Sequence, residues 1–264
     1  MAFIDRDGVK IHFEAAGDGP VVLLTHGFSG TSHMWLGQVA ALKADYRVVT
    51  WDIRGHGRSD SPADPALYSE ALTLGDMAAL LDEVGAATAT IGGLSLGGYL
   101  SLAFHVEQSE LVHKNPAQQN RVHSLLLFDT GPGYRNAEAR EGWNEMALGR
   151  ARYFERKGLA GLDGESSAHG GQHTSAEGLA LAAAGILRQY DSRVIDSLPD
   201  IELPALVLVG ENDKPFLGAT DYMAERIPGA EKVVLRDAGH VSNIDQPEAF
   251  NQTVLSFLAR AYRA

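Results

Sequence analysis

Short apolar runs alternate with amphipathic segments along the first half of the chain, a pattern that predicts strands separated by helices. The run Val21–Leu24 is continuous and apolar, and Val122–Phe128 is apolar except at two positions, as expected of strands buried on both faces of a sheet. The segments Met34–Ala44 and Leu74–Val84 repeat apolar residues at helical spacing. Strands that alternate with helices form parallel sheets covered on both faces, so the chain is predicted to be α/β. The other predicted strands are Phe3–Ile4 and Ile11–Phe13 around a turn at Asp7-Gly8, then Tyr46–Trp51, Ala89–Ile91, Leu206–Val209 and Lys232–Leu235.

The pattern changes between residues 131 and 199, where Gly, Glu and Arg are frequent and no strand-like run occurs. Helices are predicted over Ala137–Gly149, Ala151–Arg156 and Ala176–Tyr190, with a glycine-rich polar stretch between the last two. The α/β pattern then resumes, with helices predicted over Ala219–Ile227 and Gln246–Arg263. We therefore predict a core of residues 1–130 and 200–264 and a helical cap of residues 131–199 over the carboxyl edge of the sheet.

A glycine-rich turn, Gly92-Gly93-Leu94-Ser95-Leu96-Gly97-Gly98, joins the strand Ala89–Ile91 to the next helical segment. G-x-S-x-G between a strand and a helix is the pattern of a nucleophile elbow. A serine hydroxyl is a good nucleophile only when a base removes its proton and the oxygen is held exposed. The chain passes close to itself on both sides of such a turn, so Gly93 and Gly97 stand where small residues are needed. Ser95 is therefore predicted to be a catalytic nucleophile.

The same turn has two simpler interpretations. Ser95 could do no more than cap the following helix. The turn could instead bind phosphate, although it lacks the Lys-Ser/Thr pair of a P-loop.

A serine nucleophile needs a base, and the base needs an orienting carboxylate. His240 lies in a short loop after the last predicted strand, and Asp213 lies just after the strand Leu206–Val209. Loops at the carboxyl ends of parallel strands share one edge of the sheet, so Ser95, Asp213 and His240 are predicted to meet there as a triad. Taken singly, His240 could be a surface histidine and Asp213 an Asx-turn or helix-capping residue.

Two further residues compete for these roles. Asp129 also ends a strand, and it is an alternative acid for His240, or else a hydrogen-bonding partner of loop backbone near the site. His26 is an alternative base, although a histidine in this position more often braces its loop. For the oxyanion, the expected donors are the backbone N–H groups of Leu96, directly after the nucleophile, and of Phe28 in the His26-Gly27-Phe28 turn.

Composition narrows the classes of function. The chain has 264 residues, a net charge of −12 and no cysteine. Nucleic acid is an unexpected partner for a chain without a basic run. A disulfide framework and a thiolate-bound metal are excluded. The chain has no secretory signal pattern and no apolar stretch of about 18 residues, so we expect neither a membrane span nor a location outside the cytoplasm.

No metal or cofactor is expected. His169 and His173 have the spacing of a metal-binding pair only on a helix, which Gly170-Gly171 disfavours. Five aromatic or flexible side chains of the predicted cap are candidates either for a substrate pocket or for internal packing: Trp143, Met146, Tyr153, Phe154 and Tyr190.

Several motifs together resemble the α/β-hydrolase superfamily of the serine-nucleophile type. They are the elbow, His26–Gly30, Asp52–Ser59, Gly210–Asp213 and Ala238–His240, and the segment Gly239–Phe250 is similar to 3-oxoadipate enol-lactonases and small carboxylesterases. The resemblance implies an eight-stranded, mostly parallel sheet with a small helical lid. Serine at the elbow argues against haloalkane dehalogenases and epoxide hydrolases, which carry aspartate there. Residues Glu107–Asn120 depart from the family pattern and are expected to form an exposed excursion that could contact a partner.

The resulting hypothesis is a cofactor-free hydrolase of a small-molecule ester or lactone. A C–C bond hydrolase or lyase that uses the same triad is an alternative. A ligand receptor that retains the fold with little turnover is another. The sequence does not indicate the substrate or the oligomeric state.

Overall fold

A computed structural model describes residues 2–162 and 173–263. Eight strands form one sheet in the order β1-β2-β4-β3-β5-β6-β7-β8. The strands are β1 (Ala2–Arg6), β2 (Val9–Ala16), β3 (Val21–Thr25), β4 (Arg47–Trp51), β5 (Ala89–Leu94), β6 (Val122–Phe128), β7 (Ala205–Gly210) and β8 (Glu231–Leu235). β2 pairs antiparallel with β1 and β4, whereas the pairs from β4 to β8 are parallel. The predicted eight-stranded, mostly parallel sheet is therefore confirmed.

The helices within the described residues lie between these strands or follow β8. They are α1 (Leu36–Leu42), α2 (Glu70–Glu83), α3 (Leu96–Lys114), α4 (Ala137–Lys157), α5 (Ala176–Gly185), α6 (Arg193–Asp196), α7 (Lys214–Arg226), α8 (Ser242–Asp245) and α9 (Pro247–Ala261). None of the described helices is long and apolar enough to cross a membrane.

Alternate residues of the central strands pack into two separate parts of the core, one on each face of the sheet. Leu125 and Leu127 of β6 pack in the cluster that holds the buried residues of α2 and α3. Leu126 and Phe128 pack in the cluster that holds Trp35 and the buried face of α9. Both faces of the strand are thus covered by helices, which explains why most of its residues are apolar.

Two predicted interruptions of helices are wrong. Residues 107–114 extend α3 as regular helix, so only a short turn remains of the excursion expected over Glu107–Asn120. The two helices predicted around Gly149 are a single helix, α4, because one glycine costs a helix only about 1 kcal/mol.

Several predicted helix ends also differ from the structure. α5 ends at Gly185 rather than Tyr190, and α7 begins at Lys214 rather than Ala219. α2 begins at Glu70 because Ser69 caps it by accepting a hydrogen bond from Leu72 N.

Candidate active site

Ser95 lies in a tight turn between β5 and α3, with φ 56° and ψ −116°. A residue with a Cβ rarely adopts positive φ, so the turn is strained and must be held by its surroundings. Ser95 N donates a 2.9 Å hydrogen bond to Phe128 O, and Thr130 Oγ1 donates a 2.6 Å bond to Ser95 O. The Ser95 side chain makes no capping hydrogen bond to α3, so the interpretation of this serine as a helix cap is wrong.

The glycines around the elbow stand where no side chain fits. A Cβ on Gly97 would lie 2.1 Å from Thr25 O, and one on Gly93 would lie 2.5 Å from Gly97 C. A Cβ on Gly27 would lie 3.3 Å from Ser95 Cβ. The loop after β3 therefore passes directly beside the serine.

His240 and Asp213 come together at the carboxyl edge of the sheet. Nδ1 of His240 lies 2.7 Å from Oδ2 of Asp213. The carboxylate is buried, while the imidazole side chain is 42% exposed. Burial opposes the imidazolium charge, but the hydrogen bond and charge of Asp213, together with the charge of Asp129, raise the pKa of His240 above its ordinary value.

Asp129 contacts the backbone and a hydroxyl near His240 rather than the imidazole itself. Its Oδ1 accepts a 2.8 Å bond from Gly210 N, and its Oδ2 accepts a bond from Ser242 Oγ. Gly210 ends the strand that leads to Asp213, and Ser242 follows His240 by two residues. Burial raises the pKa of Asp129 to about 7, against the opposing effect of these two hydrogen bonds. Asp129 thus ties together the two loops that carry Asp213 and His240.

Ser95 lines a cavity that also reaches Phe216, an aromatic neighbour of His240. Ser95 and Phe216 both line this cavity of about 330 Å³. The Phe216 ring stacks on the His240 imidazole, with centroids 5.0 Å apart and planes at 25°. Among the hydrogen bonds of residues 2–162 and 173–263, none joins Ser95 Oγ to His240. Such bonds are often long without substrate and tighten in the substrate complex.

The cavity is aromatic and uncharged. Its aromatic walls come from Tyr99, Tyr134, Trp143 and Phe216, and none of the described residues that line it carries a charge. Of the five side chains considered from sequence as pocket candidates, Trp143 lines the cavity, and its Nε1 donates to Leu187 O at 2.8 Å.

The other four candidates lie outside the lining of this cavity. Phe154 is fully buried and packs with Tyr153, whereas Met146 and Tyr190 are exposed.

Two backbone N–H groups lie near Ser95 as candidate oxyanion donors. Leu96 is the first residue of α3, so its N–H has no acceptor within the helix. Phe28 follows Gly27, the residue whose backbone approaches Ser95. The Phe28 ring packs against His56, at 5.4 Å, and against Phe154 of α4, at 6.0 Å.

His26 braces this loop. Its Nδ1 lies 2.7 Å from Gly27 O, and its Nε2 accepts a 3.0 Å bond from Ile53 N. Both ring nitrogens thus contact backbone groups, and the imidazole is fully buried.

Of the histidine pair considered from sequence, His169 lies outside the described residues. His173 Nε2 lies 2.8 Å from Ser29 O, and Gly57 N donates a 3.1 Å bond to His173 Nδ1. Among the residues that the structure describes, no group of three or more potential ligands is arranged to hold a metal ion.

A sequence model described as the alpha/beta hydrolase family matches residues 21–253. The chain belongs to the alpha/beta hydrolase family. One relative of this alpha/beta hydrolase is a protein of Pseudomonas savastanoi pv. phaseolicola that is named a putative carbamate hydrolase, RutD. The two are 32% identical over 265 residues, and the match covers 94% of this chain and 97% of the relative. It is 29% identical to 3-oxoadipate enol-lactonase 1 of Acinetobacter baylyi, covering 96% of this chain and 95% of that protein.

Solved alpha/beta hydrolases have the same fold. A thermophilic esterase from Thermogutta terrifontis superposes with a TM-score of 0.78 at 30% identity, covering 98% of this chain and 97% of that one. The enol-lactonase from Burkholderia xenovorans LB400 superposes with a TM-score of 0.74 at 28% identity, covering 98% of this chain and all of that one. The resemblance inferred from the motifs is therefore confirmed.

Sequence reasoning missed several residues of this alpha/beta hydrolase site. Thr130 hydrogen-bonds to the backbone of Ser95, and Ser242 hydrogen-bonds to the buried carboxyl group of Asp129. The available signal in the sequence was that Thr130 directly follows Asp129 and that Ser242 lies two residues after His240. Asn144 hydrogen-bonds to the backbone of Gln189, which lines the cavity, from a different segment, and no periodicity marks either residue.

Proposed function

We propose that this protein is a serine hydrolase that cleaves the carboxylic ester or lactone of a small molecule through an acyl-enzyme. The observation that carries the proposal is the 2.7 Å contact between Asp213 and His240 beside the cavity that Ser95 lines. The enol-lactonase and esterase relatives support the same reaction class. The uncharged cavity suits a small organic substrate.

In the proposed reaction, His240 Nε2 takes the proton of Ser95 Oγ as that oxygen attacks the carbonyl carbon. Asp213 accepts the hydrogen bond of His240 Nδ1–H, fixes the tautomer and stabilises the imidazolium. The tetrahedral intermediate then loses its alkoxide, and His240 returns the proton to that oxygen. Water then attacks the carbonyl carbon of the acyl-serine while His240 takes one of its protons. The second tetrahedral intermediate expels Ser95 Oγ, which takes that proton back from His240 as the acid is released.

The oxyanion of both tetrahedral intermediates is stabilised by the N–H groups of Leu96 and Phe28. Leu96 offers the free N–H of a helix N-terminus, where the helix dipole also favours negative charge. Both donors belong to backbone that is fixed before the reaction, so little reorganisation is needed as charge develops.

We also propose that residues 131–199, as far as the structure describes them, act as a cap over this site on a core of residues 1–130 and 200–264. α4 of the cap supplies Trp143, and the segment after α5 supplies Leu187 and Gln189 to the cavity wall. Substrate selection therefore depends on the cap, while the chemistry depends on the core loops.

Hydrolysis of p-nitrophenyl acetate and butanoate and of a small lactone by wild-type protein and by Ser95→Ala tests the proposal. We expect kcat/KM to fall by about 10⁴ or more in the variant. Retention of most activity in Ser95→Ala would contradict it. Labelling by a fluorophosphonate with no ester or lactone turnover would favour the receptor alternative, and selective turnover of ring-cleavage diketones would favour C–C bond hydrolysis.

A further inference from the structure

The aromatic walls of the Ser95 cavity direct their polar groups into the protein. Tyr99 lines the cavity, and its hydroxyl donates a 3.0 Å hydrogen bond to Oε2 of Glu70. Trp143 also lines it, and its Nε1 donates a 2.8 Å bond to Leu187 O. Both donors already have protein acceptors, so these two walls offer a substrate mainly their apolar ring surface.

Charge is missing from the described part of the cavity lining. None of the described residues that line it is acidic or basic. The carboxylate next to Tyr99 is neutralised, because Glu70 forms an ion pair with Arg193. Arg188 lies beside lining residues in the sequence, but its guanidinium lies over the ring of Tyr190, 5.4 Å from the centroid and outside the lining. The lining that the structure describes thus supplies no cation for an anionic substrate group.

The charges beyond the walls make the cavity less favourable still for an anion. Phe216 of the lining stacks on His240, whose partner is the buried carboxylate of Asp213. The whole chain carries a net charge of −12. A substrate carboxylate in the cavity would lose hydration without a compensating cation and would be repelled by these negative charges.

The size and opening of the cavity limit what can fill it. Its volume of about 330 Å³ is roughly twice the 150 Å³ or so that holds one benzene molecule, so it has room for a ring and a short chain. Tyr134 and Pro215 are the exposed residues of the described lining, and the cavity therefore opens to solvent beside them.

We propose that this site selects uncharged substrates and discriminates against those that carry a carboxylate. The preferred substrate is an ester or lactone whose remaining body is an aromatic ring or a short apolar chain, held by contact with the ring surfaces of the walls. This inference rests on the proposed function, because it names the substrate class of the same site.

The first test compares three p-nitrophenyl esters whose acyl chains have the same shape and differ at the end. They are 6-methylheptanoate, 6-amino-6-oxohexanoate and the monoester of hexanedioic acid, which end in an isopropyl group, an amide and a carboxylate. We expect kcat/KM to fall in that order, with the carboxylate ester about tenfold or more below the amide ester, since only the carboxylate brings a charge into the cavity. A carboxylate ester that is hydrolysed as well as the amide ester would overturn the proposal.

The second test supplies the missing cation at the mouth of the cavity. Pro215→Arg should raise the ratio of kcat/KM, carboxylate ester over amide ester, by about fivefold relative to the matched control Pro215→Gln. Equal ratios in the two variants would contradict the charge explanation. Tyr134→Arg with Tyr134→Gln gives the same comparison if the Pro215 variants do not fold.

The third test needs no turnover and therefore separates this inference from the proposed function. In Ser95→Ala, 3-phenylpropanamide should raise the melting temperature, whereas 3-phenylpropanoate, which has the same shape and a negative charge, should not. Equal thermal shifts by the two ligands would overturn the proposal. Persistence of ester hydrolysis in Ser95→Ala would instead refute the proposed function and leave this comparison valid.

Discussion

His240 Nδ1 lies 2.7 Å from Asp213 Oδ2, and the carboxylate is buried while the imidazole is partly open to solvent. A proton taken up by the imidazole is thus stabilised from one side by a charge that water screens weakly. In the proposed mechanism, the hydrogen bond also fixes which nitrogen is left for Ser95. This relationship makes the pH dependence of activity a direct probe of the site.

Activity is expected to rise with pH through a titration whose midpoint lies above the ordinary histidine value of about 6.5. The reason is that only neutral His240 accepts the serine proton, and its pKa is raised because Asp213 and Asp129 outweigh the opposing effect of burial. Asp213→Asn removes a negative charge, so the midpoint moves to lower pH while kcat falls by about 10⁴. The measurement is kcat/KM from pH 5 to 9 for both proteins. A midpoint that does not move in the variant would rule out Asp213 as the partner of His240.

Asp129 is expected to make stability depend on pH. Its pKa is raised by burial to about 7 in the folded protein, above that of an unfolded aspartate. The free energy of unfolding therefore falls as pH rises from the pKa of this aspartate in the unfolded chain to its pKa in the folded protein. Asp129→Asn keeps the acceptor for Gly210 N and cannot ionise. The free energy of unfolding, measured in urea from pH 5 to 8, should decline less with pH in the variant. If the free energy of unfolding declined equally with pH in both proteins, ionisation of Asp129 would not be the cause of the decline.

The backbone at Ser95 stores strain that a glycine would relieve. Ser95 has φ 56° and ψ −116°, and the cost of such a conformation for a residue with a Cβ is about 1–3 kcal/mol. Ser95→Gly should therefore be more stable than Ser95→Ala by about 1 kcal/mol, although both lack the nucleophile. Urea unfolding of the two variants measures the difference. Equal stabilities of Ser95→Gly and Ser95→Ala would contradict the argument that the backbone conformation at residue 95 is strained.

Gly97 is expected to tolerate no side chain. A Cβ there would lie 2.1 Å from Thr25 O, a backbone atom in the sheet, so Gly97→Ala should lose about 1–3 kcal/mol of stability and most activity. Gly142→Ala is the control, because Gly142 lies in α4 and, apart from its chain neighbours and the adjacent backbone of its own helix, no described atom lies within 4 Å of the added Cβ. It should raise the melting temperature by about 2 °C, since alanine favours a helix over glycine. Similar losses in both variants would contradict the steric argument.

The parts of the molecule that could be predicted from sequence are those with a local cause. The strand Val122–Phe128 was predicted to the residue because both faces of β6 are buried and every position but His123 and Ser124 is apolar. The turn at Ser95 could be located because a tight connection between a strand and a helix demands glycine at fixed spacing, and the structure shows the close approaches that impose it.

The parts that could not be predicted depend on contacts between distant segments. Gly149 suggested a break that the packing of α4 against α5 overrides. The clamp between Asn144 and Gln189 joins residues 45 positions apart, and no spacing rule anticipates it. Likewise, Asp129 could be placed at the correct edge of the sheet, but its bond to Ser242 follows from α8, a short helix that the sequence pattern did not indicate.

The most direct test of the account is the site of covalent modification by a fluorophosphonate. Peptide mass spectrometry of the labelled protein should find one adduct, on the peptide that contains Ser95, and the labelling rate should fall strongly in Asp213→Asn because the base is no longer oriented. Ser95→Ala should remain unlabelled and inactive. An adduct on another residue, or ester hydrolysis that persists in Ser95→Ala, would contradict the claim that Ser95, His240 and Asp213 act together.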